Sequence, residues 1–211
     1  MKSDSLAIKQ QYDRIAPYFD GLQSIMEGFL YRRWRKKLWA KVEGTHILEV
    51  GVGTGKNFDY YPVKAQITAI DFSPAMLKQA EYKKTRTSVS VNLNLMDVQT
   101  LCYADNSFDV VIASFVFCSV ASPQKGLKEL YRVCRPGGQI LLLEQVISSN
   151  PLIAELMNII NPITQAVMGA NININAIKLV KSCGFFFVNI DNRDIHVQHL
   201  YSARRELYCY L

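Results

Sequence analysis

From residue 46 onward, short apolar runs alternate with segments of mixed polarity. The apolar runs are HILEV (46–50), QITAI (66–70), VSVNLNLM (89–96), FDVVIAS (108–114) and GQILLLEQVI (138–147). Their length and their β-branched and aliphatic content predict strands. Between them lie helical patterns near 54–61, 73–84 and 122–134. Ser73 before Pro74 and Ser122 before Pro123 pair an N-cap residue with a proline at the first helical position. Pro136-Gly137-Gly138 stops the third helix and turns the chain into a strand. Apolar strands alternating with helices predict a parallel sheet covered on both faces. GFFFVNI (184–190) and RRELYCYL (204–211) follow with no helix between them, which predicts an antiparallel pair at one edge.

Two more segments have helical periodicity. In FLYRRWRKKLWAKV (29–42), Tyr31, Trp34, Leu38 and Val42 share one face, and Arg32, Arg33, Lys36, Lys37 and Lys41 cluster opposite. A basic amphipathic helix with tryptophans suits an anionic membrane surface. The same pattern serves a lid helix that packs its apolar face on the domain and solvates its charges. In PLIAELMNIINPITQAVMG (151–169), Leu152, Leu156, Ile159, Ile163 and Val167 make one stripe. That stripe suits core packing or a roof over an apolar ligand.

Composition narrows the class. The chain has 211 residues, 49% of them hydrophobic and 20% charged, which fits one core-rich domain and not a disordered chain. The net charge of +6 is uneven, since residues 1–45 hold nine Lys or Arg against five Asp or Glu. A surplus confined to one helix, with no recognisable RNA-binding module, argues against a nucleic-acid partner. Five widely spaced cysteines without a C-x-x-C motif read as reduced thiols of a cytoplasmic protein. MKSDSLAIKQQYD lacks the apolar core of a signal peptide, and no run long enough to span a bilayer is present. His196 and His199 stand three apart in DIHVQH without a third ligand, so no metal is expected.

The stretch ILEVGVGTGKNFDYYP (47–62) carries the chemistry. Gly55-Lys56 is followed by Asn57, so a P-loop does not fit. Gly51 and Gly53 begin a dinucleotide pattern, but its third glycine falls one residue early, at Gly55. What remains is E-x-G-x-G-x-G led by Glu49, a tight turn at a strand end where a ligand can approach the backbone closely. A carboxylate there suits an ammonium better than a pyrophosphate. Asp71 ends the second strand, where an acid can accept both ribose hydroxyls. Asp97 follows the third strand, where a carboxylate can take a hydrogen bond from an adenine amino group. Adenine, ribose and an ammonium-bearing tail together describe S-adenosylmethionine.

The motifs ILEVGVGTGKN, ITAIDFSPAML, NLMDV, NSFDVVIASFVFCSV and LKELYRVCRPGGQILLLEQ resemble those of class I S-adenosylmethionine-dependent methyltransferases. The nearest group holds the ubiquinone/menaquinone-biosynthesis, phosphatidylethanolamine N- and thiol methyltransferases, and YDRIAPYFD resembles its N-terminal segment. The resemblance implies an α/β, Rossmann-like, seven-stranded, mostly parallel sheet with an antiparallel C-terminal hairpin. It also implies a helical lid over 1–45 ahead of a cofactor-binding core over 46–211. By this resemblance Gly51, Gly53 and Gly55 wall the methionine and ribose, with Glu49 near the amino end. Asp71 holds the ribose, Phe72 and Met76 lie against the adenine, and Asp97 and Val98 meet its edge. Ser114 and Phe115 sit under the methionyl chain, and Tyr12 and Tyr18 close over the sulfonium. The chain departs from the group at Glu144-Gln145, where relatives often have Glu-His, and in GANININ, where they often have an arginine.

The sulfonium already activates the methyl group, so the protein supplies alignment. A base is needed only to free the acceptor's lone pair, and Tyr18, Glu144 and His196 are the candidates. The expected acceptor is a small lipophilic molecule: a phospholipid amine such as phosphatidylethanolamine, or else a quinol ring carbon or a thiol. A peripheral contact with the inner membrane face would run through residues 29–42.

Overall fold

Five strands lie side by side and parallel in a computed structural model of the chain, which describes residues 2–21, 31–86, 90–145, 151–171, 189–191, 197–203 and 206–210. They are β1 (His46–Val50), β2 (Gln66–Asp71), β3 (Val91–Leu95), β4 (Phe108–Ser114) and β5 (Cys134–Gln145), in the order β3-β2-β1-β4-β5. The helices are α1 (Lys2–Ile15), α2 (Arg32–Trp39), α3 (Pro74–Lys84), α4 (Pro123–Val133) and α5 (Pro151–Met168). The result is a Rossmann-like α/β fold. Its strand order reverses direction between β1 and β4, which opens a crevice at the carboxyl ends of the strands.

The strands are apolar throughout because both faces are covered. Leu48, Val111, Ala113, Ile140 and Leu142 form one core with Leu127, Leu130 and Val133 of α4. Their alternating neighbours Ile47, Val110, Ile112, Leu141 and Leu143 form the other, with Trp34, Leu38 and Trp39 of α2. Each such side chain contributes about 1.5–3 kcal/mol on burial, so both helices are fixed to the sheet. This corrects the membrane reading of residues 29–42 in one respect: both tryptophans are in the core. Arg32, Arg33 and Lys36 stay exposed.

The ends of the elements follow local chemistry. Ser73 caps α3 by accepting the amide of Met76 at 3.1 Å, and Pro74 occupies the first turn. Ser122 precedes α4 but makes no side-chain cap. The helix expected near 54–61 is only a 3-10 turn over Phe58–Tyr60, because Gly53 and Gly55 take φ of +55° and +80°, outside helical space. Pro136-Gly137-Gly138 lies within β5, where the register with β4 shifts between Phe108 and Val110.

The seven-stranded sheet closed by 184–190 against 204–211 is also corrected. The parallel body has five strands. At the β5 edge, β7 (Val197–Ala203) pairs antiparallel with β5, and β6 (Asn189–Asp191) and β8 (Glu206–Tyr210) each pair antiparallel with β7. The sequence VQHLYSA is half polar and gives a weak strand pattern, so periodicity passes over it. The first three residues of the α5 stripe are not core either: Leu152 is 83% exposed, and Leu156 and Ile159 are exposed with it. Among the described residues no helix is long and apolar enough to cross a membrane.

Candidate active site

A cavity of about 460 Å³ occupies the crevice. Its floor is the glycine turn that follows β1. A Cβ placed on Gly53 would meet nothing within 4 Å, so this backbone borders open space that a ligand can fill. Gly55 is different, since a Cβ there would stand 2.6 Å from the Phe58 ring. One glycine admits a ligand, and the other lets the turn close on its own core.

The acids at the strand ends are built into this floor. Asp71 Oδ2 accepts the Gly53 amide at 2.8 Å and Oδ1 accepts the Ser73 amide at 2.9 Å. Burial raises its carboxyl to about 6 despite these bonds. Asp97 lines the cavity from the end of β3, and the Gln99 side chain donates to both of its oxygens at 3.1 and 2.9 Å. The two carboxylates thus stand at adjacent strand ends, held by neighbouring donors.

Beyond β4 the wall is strained. Phe115 has φ of +58°, a costly conformation for a bulky residue. Its amide donates to Leu143 O at 2.7 Å, and Glu144 Oε1 accepts the amides of Val116 and Phe117 at 2.9 and 3.0 Å. The ring of Phe115 packs on Tyr31, with centroids 4.5 Å apart.

Helix α1 lies across the crevice. Tyr12 and Ser119 share a hydrogen bond of 2.5 Å between their hydroxyls. Asp13 accepts the Ser73 hydroxyl at 2.6 Å, and Gln11 donates to the carbonyl of Gln165 in α5 at 2.9 Å. Just past the helix, Asp20 accepts the Thr54 hydroxyl at 2.6 Å and pairs with Lys83 at 2.5 Å. These contacts tie α1 to the glycine turn, to α3, to the loop after β4 and to α5.

The structure brings most of the expected site residues together. Tyr12, Gly51, Gly53, Asp71, Phe72, Met76, Asp97, Val98, Ser114 and Phe115 all line the one cavity. Four expectations require correction. Tyr18 is 71% exposed, in the turn after α1, and does not reach the cavity. Glu144 lies beneath the loop it holds, with its carboxylate occupied by backbone amides, so it is not placed to act as a base. Burial raises its carboxyl to about 7. Glu49 is fully buried below the turn, where it accepts from the Tyr61 hydroxyl and from Asn57 Nδ2, the latter at 2.5 Å. Its carboxyl, raised to about 7 by burial, faces these partners and not the cavity. Gly55 serves the turn from outside the cavity lining. His196 lies outside the described residues, and among those described no metal-binding group occurs.

Other lining residues escaped the sequence reading. Ser5 and Ile8 stand with Tyr12 at helical spacing, which would have marked one face of α1. Arg35 lines the cavity too, one turn from Tyr31, on the face of α2 that also buries Trp34 and Leu38. A cation on the apolar side of a helix was the signal. Met157 and Thr164 of α5 come from a distant segment and had no local marker.

A cavity with this floor, these two acids and a closing helix fits a nucleoside with an amino-acid tail. Residues 48–142 match the methyltransferase domain family. The chain is 32% identical over 146 residues to the ubiquinone/menaquinone biosynthesis C-methyltransferase UbiE of Geotalea daltonii, covering 65% of this chain and 62% of that protein. It is 33% identical over 139 residues to the phosphatidylethanolamine N-methyltransferase of Cereibacter sphaeroides, covering 65% of this chain and 67% of that one. Among solved structures, a SAM-dependent methyltransferase of Thermotoga maritima shares the fold with a TM-score of 0.66 at 19% identity, over 89% of this chain and 91% of that chain. The chain belongs to the class I S-adenosylmethionine-dependent methyltransferases. S-adenosylmethionine is the cofactor of that family.

Proposed function

We propose that the chain transfers the methyl group of S-adenosylmethionine to a small lipophilic acceptor, with a phospholipid amine as the leading candidate. Asp71 would hold the ribose, Asp97 and Val98 the adenine edge, and Phe72 and Met76 the adenine faces. Gly51, Gly53, Ser114 and Phe115 would border the methionyl chain, and Tyr12 would close over the sulfonium. The observation that carries the acceptor reading is the apolar part of the cavity wall. Ile8, Phe19, Tyr31, Val120 and Met157 form it. Its roof, α5, carries a single charged residue, Glu155, and turns Leu152, Leu156 and Ile159 outward, so both of its sides suit an acceptor with hydrocarbon tails.

The titratable groups support an acceptor that brings its own lone pair. Among the described lining residues, burial holds Tyr12 far above the usual phenol range and Cys118 at about 12, which leaves both poor bases near neutrality. An amine released from its proton by solvent, or a thiolate, reacts without further help. A quinol ring carbon gains most from a base and is the weaker alternative. The name of the Cereibacter relative supports the amine. The test is methyl transfer from radiolabelled cofactor to phosphatidylethanolamine in vesicles, a demethylated quinol and an alkyl thiol. Labelling of the phospholipid is expected. Labelling of the quinol or the thiol alone would refute the amine.

A further inference from the structure

Helix α1 lies over the crevice, and three consecutive residues in it reach three different neighbours. Successive side chains on a helix point about 100° apart. Tyr12 meets Ser119 in the loop after β4. Asp13 meets the start of α3, where it accepts the Ser73 hydroxyl at 2.6 Å and the Ala75 amide at 3.3 Å. Gln11 turns the other way, to α5. Its side-chain nitrogen donates to Gln165 O at 2.9 Å and to Ala166 O at 2.6 Å.

The α5 side of this contact suits a donor. The helix ends at Met168, so both carbonyls belong to its last turn. There a helix runs short of its own amides and carries partial negative charge. The Gly169 amide donates to Gln165 O at 3.0 Å, and Gln11 supplies two more hydrogens to this turn. Gly169 has φ of +68°, and a Cβ on it would stand 3.2 Å from Gln11 Oε1 and from the Tyr12 ring. A residue without a side chain both ends α5 and lets α1 come close.

Both helices face the cavity, over different parts of it. Ser5, Ile8 and Tyr12 line it from one face of α1, and Met157 and Thr164 line it from α5. The Tyr12 ring meets the edge of Phe72, with centroids 5.7 Å apart, on the nucleoside side. A ligand that touches Ser5, Ile8 and Tyr12 favours the state in which α1 is down. In that state α1 presents Gln11 to the end of α5. The ligand thereby gains the differential contact that coupling between two sites requires.

We propose that Gln11 is a positioning residue that carries cofactor occupancy from α1 to α5, so that the acceptor half of the cavity is completed after the cofactor binds. That α5 roofs the acceptor rests on the function proposed above, whereas the link itself needs only the family's cofactor.

The test is hydrogen exchange read by mass spectrometry on the full chain, with and without S-adenosylhomocysteine and with no acceptor present. In the wild type the ligand should slow the amides of α5 roughly 3- to 30-fold, the range expected for two neutral hydrogen bonds, together with those of α1 and α3. Gln11→Glu keeps the shape but turns a carboxylate toward the helix carbonyls. It should abolish the slowing in α5 and keep it in α1 and α3, which also shows that the variant is folded and binds. Gln11→Lys still donates and should retain part of the α5 response. Slowing of α5 that persists in Gln11→Glu would mean that α5 answers to the ligand directly, and would overturn the proposal. Faster α5 exchange by the same factor with and without ligand would give Gln11 a purely structural role, and would overturn it too. So would a wild type in which α1 slows and α5 does not. A wild type with no slowing anywhere would overturn the cofactor site itself, and the proposal with it.

Discussion

Removing Asp71 probes the cofactor floor most directly. Each oxygen of its carboxylate accepts one backbone amide, from Gly53 and from Ser73, which leaves further lone pairs for a ribose diol. In the proposed role, Asp71→Ala would delete two charge-assisted bonds to the ribose, and water would recover part of the loss. The net effect should be about 2–3 kcal/mol, or roughly 30- to 150-fold in affinity for S-adenosylhomocysteine. The variant also leaves two amides without their partner, so it should be measured well below its unfolding temperature. The pH dependence gives a second reading. The proposed role needs the carboxylate, and burial raises this carboxyl to about 6. Affinity should therefore be highest above that pH and fall as pH drops through it, by about tenfold at pH 5. Asp71→Ala should lack this component. Calorimetry from pH 5 to pH 8 on both proteins checks both points. Unchanged affinity in the folded variant, or a wild-type affinity flat down to pH 5, would refute the reasoning.

Other outcomes follow from neighbouring contacts. Glu144→Gln keeps the oxygen that accepts from Val116 and Phe117, so turnover should stay within a few-fold of wild type, while Glu144→Ala should lose about 1–3 kcal/mol of stability for the freed amides. A Gln variant that is folded but inactive would restore Glu144 as a base. Gly53→Ala should fold with a cost of about 1 kcal/mol for its backbone and bind cofactor poorly, because the methyl enters open cavity. Gly55→Ala should mainly lower the melting temperature, because its methyl meets Phe58. Since the α2 tryptophans are buried, any membrane contact by this helix is electrostatic. Arg32→Gln, Arg33→Gln and Lys36→Gln together should abolish sedimentation with anionic vesicles, at about 1 kcal/mol per charge, with cofactor affinity intact. Sedimentation that survives both the triple variant and high salt would point to another surface.

Features that depend on neighbours along the chain were legible before any packing was known. The run of apolar strands between capped helices set the parallel sheet, because a strand buried on both faces has no polar side to show. Ser73-Pro74 fixed the start of α3 for a local reason, a side-chain oxygen three residues from the amide it accepts. The glycine turn and the acids Asp71 and Asp97 were legible because each sits at a strand end, and parallel strands bring such ends to one crevice. Which groups face that crevice depends instead on how the elements pack. Glu49 and Glu144 have the sequence of site residues, yet packing turns one toward Tyr61 and Asn57 and the other toward the loop of Phe115. Tyr18 follows α1 closely, but the turn after the helix leaves it in solvent. Arg35 belongs to a run of five cations in six residues, RRWRKK, and only its phase relative to Trp34 and Leu38 takes it inside. A change of one position along a helix rotates a side chain by about 100°, so the choice between solvent and cavity rests on how α2 docks against the sheet.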